Sequence, residues 1–512
     1  MGIRACIFIG VTAWAAALPG LGLAASVRGE LLEPPEVLAT LTVSAIDSAT
    51  ASANVQILTG KAKCDVTVVA INYRTVGVAN EDTNASGVLL APGGNCNQTP
   101  AALVAYAKGT DVEKLHTLAN PADSQTMVLA AFFAAQGYAV VATDYLGFAK
   151  SSYPYHPYLH AESEATSVVD SVRAARNAAG VLGLTLSGTV ALTGYSQGGH
   201  ASMAAQRAVE RDHAAEFSLL GGAHLAGPYN LSGALQSANA NLGAQLFVPY
   251  AITSWQKVYG NIYRDVNEVF EMPYASYIES LLPSPTLSVS ALTSTGKLPG
   301  ANNETPDQAL NLLLKPAYRA DIQGNPNNPV LLAAKKNDLL DWTPRANVLL
   351  CGGAGDPTVQ TGLHLKVMKA AFDSKGLTHV SSVDVDPTIK LIFSLVLAFS
   401  PDTYYAAYHS TLEPPFCLAQ AKSFVDGLVQ ARSRISTDAD TVFSWAQRTY
   451  PGHFASGSDS ASIAGYHFRS YTGNTYLGVN ETGVPHLFYI GPLSGYTMQD
   501  LGLLSAFIAQ VR

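Results

Sequence analysis

One stretch combines residue types and spacing that suggest chemistry: Gly194-Tyr195-Ser196-Gln197-Gly198. An apolar run, 188–193, precedes it, and Ala204, Ala205, Ala208 and Val209 follow at helical spacing. A serine on a tight strand-to-helix turn is a nucleophile elbow, and its glycines remove side chains that would collide across the turn. A serine hydroxyl attacks poorly until a histidine takes its proton and a carboxylate holds that imidazole in the right tautomer. On such an elbow the acid follows the serine in sequence, and the histidine follows the acid. Asp356 fits the acid, because it closes the glycine-rich turn after the apolar run 346–351; its rivals, Asp338 and Asp341, precede that run. Three histidines after Asp356 compete for the base. His364 lies on a helical pattern and His379 opens a strand, whereas His409 lies in 404–415, read as a polar loop after the last sheet strand, and is the expected base. The oxyanion needs backbone donors. The amide of Gln197 is expected to be one, and Gly109 or Thr110, after the strand pattern 102–107, the other.

Other groups are expected to be structural. His156 and His160 stand four apart, a metal-like spacing, but no carboxylate or cysteine completes a ligand set and Pro157 prevents a clean helix, so no metal is expected. His200 reads as a packed histidine and Asp144 as a brace between loops. Neither G-x-x-x-x-G-K-[ST] nor G-x-G-x-x-G occurs in a fitting context, so no cofactor is implied.

These residues need elements to bring them together. Strand patterns at 65–76 and 87–91 read as an antiparallel pair, after a weakly patterned lead, 26–63. Strands at 102–107, 138–143 and 219–223 then alternate with helices at 124–136 and 162–179 and with the elbow, and the rhythm resumes at 346–351, 361–375 and 379–384 before a closing helix to 433. That alternation predicts an α/β fold, a mostly parallel sheet with helices on both faces and active-site loops at the carboxyl ends of the strands. The stretch 228–345, with Trp255, Tyr259 and Phe270 at partly helical spacing and no clear strands, is expected to be a helical cap over the elbow. From 438 the composition changes. A helix at 441–449, strands at 466–471, 475–479 and 486–490, and a helix at 498–510 predict a small accessory α+β module, 438–512, beside a main domain of 26–433.

With 48% hydrophobic and 13% charged residues among 512, the chain has the composition of a well-buried globular protein. A net charge of -8 and the absence of a basic run argue against a nucleic-acid partner. Residues 1–25 read as a signal peptide, so the mature chain is expected to be secreted or periplasmic. No later stretch reaches the length of a membrane span, which leaves at most transient contact with a lipid or polymer surface. Cys6 leaves with the signal, and Cys64, Cys96, Cys351 and Cys417 allow three pairings. Their placement favours Cys64 with Cys96, on neighbouring strand ends, and Cys351 with Cys417, each near an expected catalytic residue.

The combination of Lys108-Gly109-Thr110, Asp144-Tyr145-Leu146-Gly147, His156-Pro157-Tyr158, Gly194-Tyr195-Ser196-Gln197-Gly198-Gly199-His200-Ala201 and Gly355-Asp356-Pro357 resembles the secretory lipases, a family of α/β-hydrolases. The resemblance covers about residues 60–433. It implies Ser196 as nucleophile, Asp356 as acid, His409 as base and a helical cap. The chain departs from the family where Lys108 stands in place of a usual histidine. The expected activity is hydrolysis of hydrophobic carboxylic esters through an acyl-enzyme. A serine peptidase of the same fold, or a non-catalytic binding protein on the same scaffold, are the alternatives.

Overall fold

The computed structural model describes residues 27–511, apart from 456, 458, 459, 464, 482 and 483; the expected signal peptide, 1–25, lies outside the described residues. The main sheet contains β1 (Glu36–Leu41), β2 (Val66–Val76), β3 (Asp82–Pro92), β4 (Ala101–Ala107), β5 (Ala139–Thr143), β6 (Leu186–Tyr195), β7 (Ser218–Leu225), β8 (Asn347–Gly352) and β9 (Val380–Asp384). Their spatial order is β1-β2-β3-β5-β4-β6-β7-β8-β9. Every pairing from β5 across to β9 is parallel, whereas β1, β2 and β3 pair antiparallel at one edge.

β4 shows why this sheet is central. Leu103, Ala105 and Ala107 enter one buried cluster and Ala102, Val104 and Tyr106 the other. A strand apolar on both faces must be covered on both. Helices Ala161–Leu182 and Gln197–Asp212 cover the first face, and Ser124–Phe132 and the start of the long helix Glu413–Thr449 cover the second. Between β7 and β8 the chain runs through short helices around Ala244–Tyr259 and builds its own core from Tyr250, Trp255, Phe270 and Leu313.

Several expectations change. The stretch 26–63 is not featureless, since it holds β1 and a helix, Val43–Ser52, capped by the Thr42 hydroxyl. The expected break after 433 is replaced by one helix, Glu413–Thr449, because no glycine or proline falls between 428 and 449 and its apolar face merely changes partner. Val425 packs on the main sheet's core, whereas Ala439, Val442, Phe443 and Ala446 pack against β11 (Tyr466–Tyr471), β12 (Thr475–Asn480) and β13 (His486–Ile490). These strands form a second antiparallel sheet with β10 (Ala461–Ile463) and β14 (Gln499–Leu503). The expected helix at 498–510 is thus split. Gln499–Leu503 pairs with β13, and helix begins only at Leu504.

Candidate active site

β6 ends at Tyr195, and helix begins at Gln197. Ser196 bridges them at φ 59° and ψ -122°, a conformation that costs a residue with a side chain energy. The turn is too tight for anything but glycine at its flanks. A Cβ at Gly194 would lie 2.3 Å from the Gly198 carbonyl oxygen, and one at Gly198 would lie 1.9 Å from that of Ala107. Because Ala107 of β4 pairs with Gly194 of β6, the chain leaving β4 passes beside the serine, and a Cβ on Gly109 would sit 3.7 Å from that of Ser196. Gln197 opens its helix, so its N–H has no intrahelical acceptor.

Asp356 follows β8, and its Oδ1 accepts the Thr358 and Val359 amides at 2.8 and 3.1 Å. Its Oδ2 lies 2.7 Å from His409 Nδ1, and His409 Nε2 lies 2.8 Å from Ser196 Oγ. The structure therefore brings together three side chains drawn from 196, 356 and 409. The polar loop expected around His409 is helical: Pro401–Ala407 is an α-helix and Tyr408–Leu412 a π turn. Tyr404 and Tyr408, one turn apart, are both buried on the same face, and that helical spacing is the signal the loop reading overlooked. Disulfides join Cys64 to Cys96 and Cys351 to Cys417; the second ties the end of β8, ahead of Asp356, to the long helix.

Burial alone would raise the Asp356 carboxyl, but the facing His409 and hydrogen bonds from His409 and Thr358 hold it below its ordinary value. An ionised acid beside Nδ1 and a hydroxyl beside Nε2 are what a general base needs in order to take a proton from Ser196. Ser196 opens into a cleft of about 1050 Å³, open solvent at its mouth included. Thr110, Tyr158 and Gln197 line it together with the serine, and the segment between β7 and β8 supplies Leu231, Phe247, Val248, Trp255 and Leu314, with Arg319 and Gln323 among its few polar groups.

The remaining candidates fall elsewhere. His156 donates from Nδ1 to the Leu146 carbonyl, leaving Nε2 to accept from the Gln197 amide group at 2.8 Å; burial lowers its pKa to about 3, and it stays neutral. His200 is packed between Glu164 and the Asn337 carbonyl. Asp144 accepts from Ser86, Thr117 and the Leu118 amide, bracing three segments. Asp338 accepts from Ser232, and His379 from its Nε2 meets the Pro344 carbonyl. His364 lines the cleft, accepts the Asn230 amide on Nδ1 and is driven down to about 3 by burial. Lys108 is buried, with Nζ 2.8 Å from Asp111 and 4.2 Å above the Phe148 ring.

Sequence reasoning missed three residues. Glu164 holds the Gln197 side chain at 2.7 Å and so steadies the first turn after the serine. Tyr195 donates to the His409 carbonyl at 2.6 Å. Glu413 is buried behind Asp356, and burial followed by the Asp356 charge pushes its carboxyl well above the ordinary glutamate value. Spacing alone held one clue, since Glu413 stands four residues after His409.

A sheet of this order with a serine elbow after a central strand defines an α/β-hydrolase. LipA, a rice cell wall degrading esterase from Xanthomonas oryzae, aligns with a TM-score of 0.68 at 34% identity over 78% of this chain and 98% of its own. The chain is accordingly a carboxylic ester hydrolase. The family model for secretory lipases matches residues 112–277, and the chain belongs to that family. A Legionella pneumophila protein, 22% identical, shares the fold with a TM-score of 0.63 over 78% of this chain and 98% of its own. Closed lipase A of Candida antarctica shares it more distantly, at 14% identity and a TM-score of 0.50 over 76% and 85%. No curated protein sequence matches.

Proposed function

We propose that this hydrolase is exported and cleaves hydrophobic esters through Ser196, His409 and Asp356. The observation that carries the reading is the hydrogen-bonded series from Ser196 to Asp356 on the wall of an apolar cleft. Ser196 Oγ attacks the ester carbonyl carbon while its proton passes to His409 Nε2, and the amides of Gln197 and of Gly109 or Thr110 receive the oxyanion. His409 then protonates the departing alkoxide, leaving an acyl group on Ser196. Water, deprotonated by the same imidazole, releases the acid. The apolar start at 1–25 and two disulfides, which persist in oxidising compartments, support export.

In this reading residues 26–433 do the chemistry, 228–345 cap it, and 438–512 are accessory. The substrate surface is also addressed from outside. The helices Asp386–Ile392 and Ser394–Phe399 present Leu391, Leu395 and Phe399 at 77, 72 and 82% exposure, an uncharged strip suited to brief contact with an aggregated ester. Among the described residues no helix is long and apolar enough to cross a membrane.

A fluorophosphonate probe tests the nucleophile: the expected adduct forms on Ser196 and is lost in Ser196→Ala. Turnover of p-nitrophenyl esters of rising chain length should exceed that of peptide anilides. Preference for the anilides, or an adduct unchanged in the variant, would refute the proposal.

A further inference from the structure

Two carboxyl groups meet at this site, and the three-residue scheme uses only one. The Glu413 side chain is wholly buried at the first turn of the long helix. Its Oε1 accepts the Gly353 amide at 2.6 Å, and its Oε2 lies 3.2 Å from the Tyr195 hydroxyl and 3.9 Å from His409 Nδ1. A carboxyl oxygen of Glu413, one of Asp356 and a ring nitrogen of His409 all lie within 4.8 Å of one another. The protons can be assigned. Tyr195 has one, which its 2.6 Å contact gives to the His409 carbonyl, and His409 Nδ1–H points to Asp356 Oδ2. Asp356 Oδ1 already takes two amides, so Asp356 behaves as an anion that only accepts. Two facing carboxylates would repel without a proton between them, and the one proton unaccounted for belongs on Glu413.

We propose that Glu413 is a positioning residue of the hydrolytic centre: as a neutral acid it donates its proton to Asp356 and thereby fixes the carboxylate that orients His409. This rests on the function proposed above. The groups facing Glu413 agree with it. Asp356 comes from the loop after β8, Tyr195 from β6 and His409 from the π turn, while Tyr408 of that turn and Tyr229, from the chain after β7, are close enough to feel a charge at Glu413. Tyr408 spends its proton on Asp386, which in turn pairs with Lys390. Among the described residues neither Asp356 nor Glu413 has an ion pair with lysine or arginine, so no cation stands in for the shared proton. Burial and the neighbouring Asp356 charge both favour neutral Glu413.

Glu413→Gln retains an acceptor for Gly353 and a donor for Asp356, and it should keep kcat and the acid limb of the kcat/KM profile. Glu413→Leu should lower kcat by roughly tenfold to a hundredfold, the worth of one hydrogen bond to a charged group, with KM little changed. Loss of kcat in the glutamine variant to the level of the leucine one, full kcat in the leucine variant, or an acid limb moved to lower pH in the glutamine variant would each overturn the proposal, the last because it means that an anion was removed. Should the leucine variant not fold, infrared difference spectra decide: wild-type protein near neutral pH should show a protonated-carboxyl C=O stretch that Glu413→Gln lacks, and its absence from wild type refutes the idea. The spectra do not depend on Ser196, so failure of the nucleophile assignment, read by probe labelling, remains separate.

Discussion

Asp356 divides its work between its oxygens, one held by two backbone amides and the other facing His409. Asp356→Asn preserves that shape but presents an amide that can favour the wrong imidazole tautomer. The expected outcome in an ester assay is a kcat roughly 10⁴-fold lower with KM nearly unchanged. That Ser196, Asp356 and His409 would meet was legible in the sequence because each is marked by its neighbours: an elbow motif, a glycine-rich turn after a strand, and a histidine beyond the last sheet strand. Glu413 and Glu164 carry no such mark. Glu413 precedes Pro414 and Pro415, which resemble loop punctuation, whereas its carboxyl group is buried at the start of a helix that continues the helical stretch 401–412. Glu164 meets Gln197 across two helices, a contact no local pattern encodes.

Among the elements, the connection after β4 carries a charge cluster with a pH signature. His116 faces Asp111 and Asp123, and the hydrogen bonds it donates, first to Asp111 and then to Asp123, raise it to about 9, against some opposition from burial. A histidine raised on folding stabilises fully below its unfolded value of about 6.5, and the gain disappears as pH rises through the folded value. The Tm difference between wild type and His116→Gln should therefore be largest at pH 6 and shrink as pH passes about 9. The two exposed helices before His409 permit another test. Leu395→Asp with Phe399→Asp should leave turnover of dissolved short esters intact and lower turnover of emulsified ones, because charge opposes contact with an apolar surface. Strands buried on both faces, such as β4 and β6, were easy to read, since apolar runs between turn signals have few other uses. β14 was not, because Gln499–Leu503 becomes a strand only through the open edge of β13.

At the scale of the molecule, the helix Glu413–Thr449 belongs to two cores. Near its start Cys417 is bonded to Cys351, midway Arg432 reaches both Ser218 of β7 and Glu481 beyond β12, and its last turns pack on the small sheet. The composition shift near 438 was visible, but the continuity of the backbone through it was not, because a change of packing partner and a domain boundary leave the same trace in composition. Ending the chain after 437 removes the small sheet together with the helical strip it covers, and should preserve most turnover of soluble esters. Ending it after Thr449 leaves Val442 and Phe443 uncovered and should produce aggregation, as light scattering would show. An unbroken helix of 37 residues extends about 55 Å. It makes the terminal sheet a handle rather than a pendant: immobilised through that sheet, the enzyme would present its cleft to the solution at a set angle, and the choice of attachment end would determine whether a solid substrate can be reached at all.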